Sequence, residues 1–177
     1  AIPSSLRGSC NWLWKGLGLR LKIRPAVGAD KPALLQILQN TPEFTPVDVR
    51  VAAELLDAYL EDPVNSGYFV LVAEADSSVT GYVCYGPTPL TTGTWDVYWM
   101  VVAPLEQGRG IGQALLAAAE AKMKEAQGRL ILIETSSRPE YEKTRRFYLS
   151  QAYELISRIP DFYEFGDDKL TFQKRLG

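Results

Sequence analysis

The sequence predicts an α/β chain: a mixed β-sheet with helices on its faces, in the order β-αα-βββ-α-β-α-ββ. Three observations predict it. Strand-like and helix-like segments alternate in places and run consecutively in others, which points to a mixed sheet. A strand feeds a glycine turn that opens directly into a long helical pattern. The chain has 177 residues, 46% hydrophobic and 23% charged, which suits one soluble domain with one core.

The elements follow in order. Residues 19–24 alternate apolar and basic side chains, as a half-buried strand does, and Pro25 ends the run. Asp30 is placed to cap a helix with Pro32 in its first turn and Leu34, Leu35 and Leu38 on one face. Thr45-Pro46-Val47-Asp48 is a second helix start: Thr caps, Pro takes the first helical position and Asp favours the positive end. Val51, Leu55, Leu56, Tyr59 and Leu60 then recur at helical spacing until Asp62-Pro63. Residues 68–73 and 81–85 read as strands of a hairpin turning at Asp76-Ser77-Ser78. A fourth strand spans residues 94–102 and stops before Pro104. A helix covers residues 110–126, with Ile111, Ala114, Leu115 and Ala118 in a stripe, and Gly128 ends it. Residues 130–135 are a buried strand, a helix lies near 141–150, and strands at 153–159 and 169–174 close the chain.

Composition excludes several function classes. The chain contains no histidine, so His-based triads and His-ligated zinc are out, and acid–base work falls to carboxylates, tyrosine, lysine or water. Cys10 and Cys84 give neither a disulfide framework nor metal spacing. A net charge of −2 carries no nucleic-acid signature. No run of about 18 apolar residues is present, so no membrane span and a cytoplasmic location are expected. Residues 1–18, with Trp12, Leu13 and Trp14 beside Arg7 and Lys15, read as an N-terminal extension outside the fold. Lys15 and the glycines break the apolar run too early for a signal peptide. Residues 19–177 are then a single domain.

The most informative segment is Gln107-Gly108-Arg109-Gly110-Ile111-Gly112, where glycines recur at every second position between a strand and a helix. Glycines let the backbone come close to a ligand, and the free N–H groups and dipole of a helix start suit an anion. Arg109 adds positive charge. The pattern fits a phosphate or pyrophosphate, although a tight strand–helix connection would use the same glycines. A P-loop is excluded because no Lys-Ser or Lys-Thr follows. The dinucleotide fingerprint needs Gly-x-Gly-x-x-Gly, and the spacing here is Gly-x-Gly-x-Gly.

This segment resembles the Gln/Arg-x-x-Gly-x-Gly/Ala signature of the GNAT superfamily of N-acetyltransferases. Tyr98-Trp99-Met100-Val101-Val102-Ala103-Pro104 resembles that family's fourth strand. Ile23-Arg24-Pro25-Ala26, Ala29-Asp30 and Arg146-Phe147-Tyr148 resemble its other landmarks. The likeness is distantly to ribosomal-protein-alanine acetyltransferases. It implies a GNAT-like fold, acetyl-CoA as co-substrate and no metal. It implies a coenzyme site made of main-chain groups of Met100, Val101 and Val102 along the pantetheine arm and of Gln107, Gly108, Arg109, Gly110, Ile111, Gly112 and Gln113 around the pyrophosphate. Acetyl-CoA would enter where the fourth and fifth strands splay.

The chemistry so implied needs an amine to lose a proton and a departing thiolate to gain one. Tyr148 stands where the family places its general acid. Asp96 stands where histone-type members carry a glutamate base, and Glu134 where ribosomal-protein-type members carry theirs. Glu134 also sits next to Leu130-Ile131-Leu132-Ile133, an expensive place for an unpartnered carboxylate. Both stay candidates. In related enzymes the connection over residues 159–169 shapes the acceptor pocket. Here it is aromatic and acidic, so Tyr163 and Asp161, with Tyr98, are the candidate acceptor contacts, and a cationic amine suits them. Two departures stand out. Tyr141 replaces the asparagine many members use on coenzyme A, and the 136–140 loop is about two residues longer than in the ribosomal-protein type. The expected partner is a small-molecule amine or a protein amino group. Longer acyl groups and the oligomeric state, homodimer included, stay open. The rival reading is a non-catalytic acyl-CoA sensor or interaction domain on the same fold.

Overall fold

The computed structural model describes residues 20–177. The extension at 1–18, Cys10 and the start of the first predicted strand lie outside the described residues. The described chain carries seven strands and four α-helices: β1 Leu21–Pro25, α1 Lys31–Gln39, α2 Pro46–Glu61, β2 Phe69–Ala75, β3 Ser78–Pro87, β4 Thr94–Val102, α3 Ile111–Glu125, β5 Leu130–Ser136, α4 Glu142–Ser150, β6 Glu154–Glu164 and β7 Asp167–Arg175. The sheet order is β1-β2-β3-β4-β5-β7-β6. Only β4 and β5 pair in parallel, with α3 as the crossover between them. The sheet is therefore mixed, as the sequence predicts. Among the described residues no helix is long and apolar enough to cross a membrane.

Each sheet face carries its own core. On one face α3 and α4 bury Ile111, Leu115, Ala119, Met123 and Tyr148 against Leu71, Val83, Tyr85, Trp95, Val97, Ile131 and Phe172. On the other, α1 and α2 bury Leu34, Leu38, Leu56 and Tyr59 against Val70, Val72, Tyr82, Cys84 and Val101. The helices form where the sequence signals them. Thr45 and Asp48 close a reciprocal capping box at the start of α2, with Pro46 next to the cap. The β2–β3 hairpin turns on Asp76 and Ser77, both at positive φ, the conformation that matches strand twist in a two-residue turn.

Two sequence expectations change. Asp30 precedes α1 but does not cap it with its side chain. Its carboxylate turns back to accept from the Val27 N–H at 2.8 Å and from both Arg24 terminal nitrogens at 2.8 Å. The predicted loop over 159–169 is also mostly strand. β6 and β7 continue to Glu164 and Asp167 around a two-residue turn at Phe165-Gly166, with irregular register between Ile159 and Glu164.

The Arg24–Asp30 pair ties β1 to the segment before α1, and Arg24 also donates to Glu74 on β2 at 2.9 Å. Burial works to raise the Asp30 carboxyl, but Arg24 and the Val27 N–H outweigh it and hold the group below its ordinary value. Asp30→Asn is expected to lose about 3 kcal/mol of unfolding free energy at neutral pH in urea titrations. Because the folded value is depressed, that advantage is complete above the ordinary aspartate value of 3.8. It disappears as pH falls through the folded value, so the wild-type and variant curves converge in acid.

Candidate active site

The centre of the sheet is forked. β4 pairs with β5 at Thr94, Trp95, Asp96 and Val97 only, and beyond Val97 the two strands part. On its other side β4 stays on β3, but its register skips Tyr98: Cys84 faces Trp99 and Tyr85 faces Val97. This bulge exchanges the faces of β4. Trp95 and Val97 enter the α3 core, whereas Trp99 and Val101 turn to the α1–α2 side and Met100 and Val102 take the α3 side. Close packing supports the kink: a Cβ on Gly86 would stand 2.2 Å from the Gly67 carbonyl and 3.1 Å from the Tyr98 ring.

Beyond the fork β4 has one free main-chain edge. The Ala103 N–H donates to Thr80 O at 2.8 Å, so by alternation Val101 directs its main chain at β3 while Met100 and Val102 direct theirs at the cleft. The expected use of Val101 main-chain groups is corrected accordingly: they belong to the sheet. The Val102 carbonyl accepts from Gln107 Nε2 at 3.2 Å, and this fixes the turn against the strand end.

That turn presents N–H groups without protein partners. Among the described residues, the amides of 107–113 donate to no protein acceptor, and main-chain bonding resumes at Ala114, which donates to Gly110 O at 3.0 Å. Gly108 and Gly110 both have φ +78, and Gly110 leads straight into α3. A Cβ on either glycine would meet no atom within 4 Å. The glycines are thus needed for backbone conformation, and the space above them is open. The expectation for Arg109 needs revision, because its guanidinium pairs with Glu106 and does not line the cleft. The cation at the turn is Lys143 of α4, whose Nζ donates to Gln107 Oε1 at 2.6 Å. Sequence reasoning missed Lys143, which is 36 residues from its partner.

Fork and turn open into one cleft of about 1270 Å³. It brings together Asp96, Tyr98, Met100, Val102, Gln107, Gly108, Gly110, Ile111, Gly112, Gln113, Glu134, Tyr148 and Tyr163. Asp161 is not among them. Its carboxylate accepts the Gly166 N–H at 2.7 Å and closes the β6–β7 turn. Glu134 is not embedded in the apolar run before it: its side chain is 50% exposed and pairs with Lys169 at 3.0 Å. Asp96 is more enclosed. Burial pushes its carboxyl above the ordinary value and the nearby Glu134 charge adds to this, partly offset by the Thr88 hydroxyl donating at 2.6 Å. Tyr148 is 5% exposed, and burial raises its phenol. Tyr98 and Tyr163 are both pushed up to about 12, mainly by burial and further by neighbouring acids.

The profile of the acetyltransferase (GNAT) family matches residues 32–153. The chain belongs to the GNAT family of acetyltransferases. A crystal structure from Desulfovibrio desulfuricans, assigned to the GNAT family, shares 37% identity with this acyltransferase at a TM-score of 0.85, covering 89% of this chain and 99% of that one. A ribosomal-protein-alanine N-acetyltransferase from Brucella melitensis shares 30% identity at a TM-score of 0.68, covering 87% and 99%. The structure of yncA from Salmonella typhimurium with its cofactor acetyl-CoA has the same fold at 22% identity and a TM-score of 0.68, covering 89% and 94%. No curated protein sequence matches the chain.

Asp96 gives this GNAT domain a measurable signature. Its folded-state value is raised, so the fold holds that proton more tightly than the unfolded chain, and ionisation destabilises the fold as pH rises through the raised value. Asp96→Asn is therefore expected to melt above wild type at pH 7. The gap should close below the ordinary value of 3.8, as read by thermal melts across pH.

Proposed function

We propose that this GNAT domain moves the acetyl group of acetyl-CoA to a primary amine by direct attack in a ternary complex. The observation that carries the reading is the continuity of two main-chain surfaces: the edge at Met100 and Val102, of which only the Val102 carbonyl is taken, by Gln107, runs into the partnerless amides of 107–113. Those amides, the α3 N-terminus and Lys143 suit a diphosphate, and the edge suits an extended arm that carries amides.

Acetyl-CoA supplies an activated thioester at the fork. The residues around the fork then divide the proton work. Tyr148 is buried and keeps its proton through the neutral range, so it is the donor to the leaving sulfur. Asp96 holds a proton more tightly than an ordinary aspartate and has no cationic partner in the described residues, so it takes the amine proton, directly or through a water. Glu134, countered by Lys169, provides negative charge near the approaching ammonium. Activity then falls as acid protonates Asp96, with an apparent value above 3.8.

Coenzyme A release across a panel of primary amines tests these roles. Tyr148→Phe and Asp96→Asn should each lower kcat by about a hundredfold, and Glu134→Gln by about tenfold or less. Undiminished turnover in both of the first two variants would overturn the assignment. Gly110→Ala, strained at φ +78, should weaken acetyl-CoA binding about tenfold in calorimetry. Binding without turnover of any amine would favour a sensor, and no heat with any coenzyme A thioester would remove the reading altogether.

A further inference from the structure

Glu134 faces the cleft on one side and one of the chain's own ammonium groups on the other. Its side chain is half exposed and lines the cleft, while Lys169 Nζ stands 3.0 Å from its Oε1. Sheet register makes this pair. On β5 and β7, Glu134 lies opposite Thr171 and Ser136 opposite Lys169, so Glu134 and Lys169 are diagonal neighbours on one face.

Lys169 is enclosed from the hairpin side as well. Ile159 of β6 lies opposite it, and the centroid of the Phe162 ring is 4.2 Å from its Nζ. Only 15% of its side chain is exposed, and it does not itself line the cleft. The carboxylate and the aromatic face offset the desolvation of an ammonium held in this way. Among the described residues, Glu134 has no other cationic partner within ion-pair distance. The two charges therefore cancel locally, just beyond the last β4–β5 pair at Val97 and Ile133. An ammonium that enters the cleft meets a carboxylate already countered from behind, and Lys169 repels it across that carboxylate. An uncharged amine meets neither effect.

We propose that Lys169 is a specificity-determining residue: by countering Glu134 it holds down the cleft's preference for protonated acceptors, so that weakly basic, uncharged amines compete with alkylammonium ions. This rests on the reading of the cleft as an acetyl-transfer site and adds the charge class of the acceptor. Lys169 acts through Glu134 and does not touch the reacting atoms. Its effect therefore belongs in KM and not in kcat.

Two amines built on one ring test the idea: benzylamine, protonated near neutral pH, and aniline, uncharged there. Lys169→Met and Lys169→Gln remove the charge and keep most of the stem, whereas Lys169→Arg keeps the charge. At saturating acetyl-CoA, both uncharged variants should lower KM for benzylamine about tenfold, the scale of one like-charge repulsion near a surface, and move KM for aniline less than about twofold. Lys169→Arg should keep the wild-type ratio of the two KM values. In about 1 M salt, where screening acts beyond about 3 Å, the gain should shrink; lost packing would not respond to salt in this way. Calorimetry with coenzyme A bound gives the comparison without turnover: benzylamine should bind both uncharged variants about tenfold more tightly than wild type. Equal benzylamine affinity in wild type and both variants, including no measurable binding by any of them, overturns the proposal, as does an equal gain for aniline. Tightened benzylamine binding without acetylation of any amine removes the transfer reading and leaves the role of Lys169 standing. Turnover with an unchanged KM ratio does the reverse.

Discussion

The structure depends on the parting of β4 from β5 after Val97. Four parallel pairs hold the strands together at one end. Past them each strand keeps only its outer neighbour, β3 for β4 and β7 for β5. Main-chain groups in the middle of a sheet are ordinarily paired, so an opening there must be stabilised from outside. The bulge at Tyr98 makes the kink, Gly86 leaves room for it, and β5 gains rigidity beyond the fork from β7 and from the Ser136 hydroxyl, which is hydrogen-bonded to Asp167 at 2.5 Å. The gap is thereby part of the architecture, and the acyltransferase cleft is that gap.

Charge of both signs lines the cleft. The glycine turn and the start of α3 offer main-chain N–H groups, with Lys143 beside them. Carboxylates come from separate parts of the chain: Glu43 and Asp48, Asp96 at the fork, Glu106 before the glycine turn, Glu134 on β5, and Glu164 and Asp167 on the hairpin, the last two paired with Arg138.

Local signals in the sequence were legible where a few neighbouring residues decide the outcome. The Thr45–Asp48 box, the limits of β4 and the glycine turn before α3 are of this kind, and so were the element order and the mixed sheet. Long-range choices were not. The alternation of Trp95, Val97, Trp99 and Val101 looks unbroken in sequence, yet the bulge sends the first two and the last two to opposite faces. Asp30 resembled a helix cap, but bidentate Arg24 offered it a stronger partner. Arg109 looked like a phosphate ligand, and its nearest acid, Glu106, is three residues away. Lys143 becomes visible only when the fold brings α4 against the glycine turn.

The Tyr141 hydroxyl bond to Glu43 has an evolutionary corollary. The phenol reaches from the start of α4 to the carbonyl of Glu43, so the loop between α1 and α2 is tied to the same helix whose Lys143 holds the glycine turn. A substitution at position 141 therefore also loosens residues 40–45, so changes in the two segments are expected to arise together.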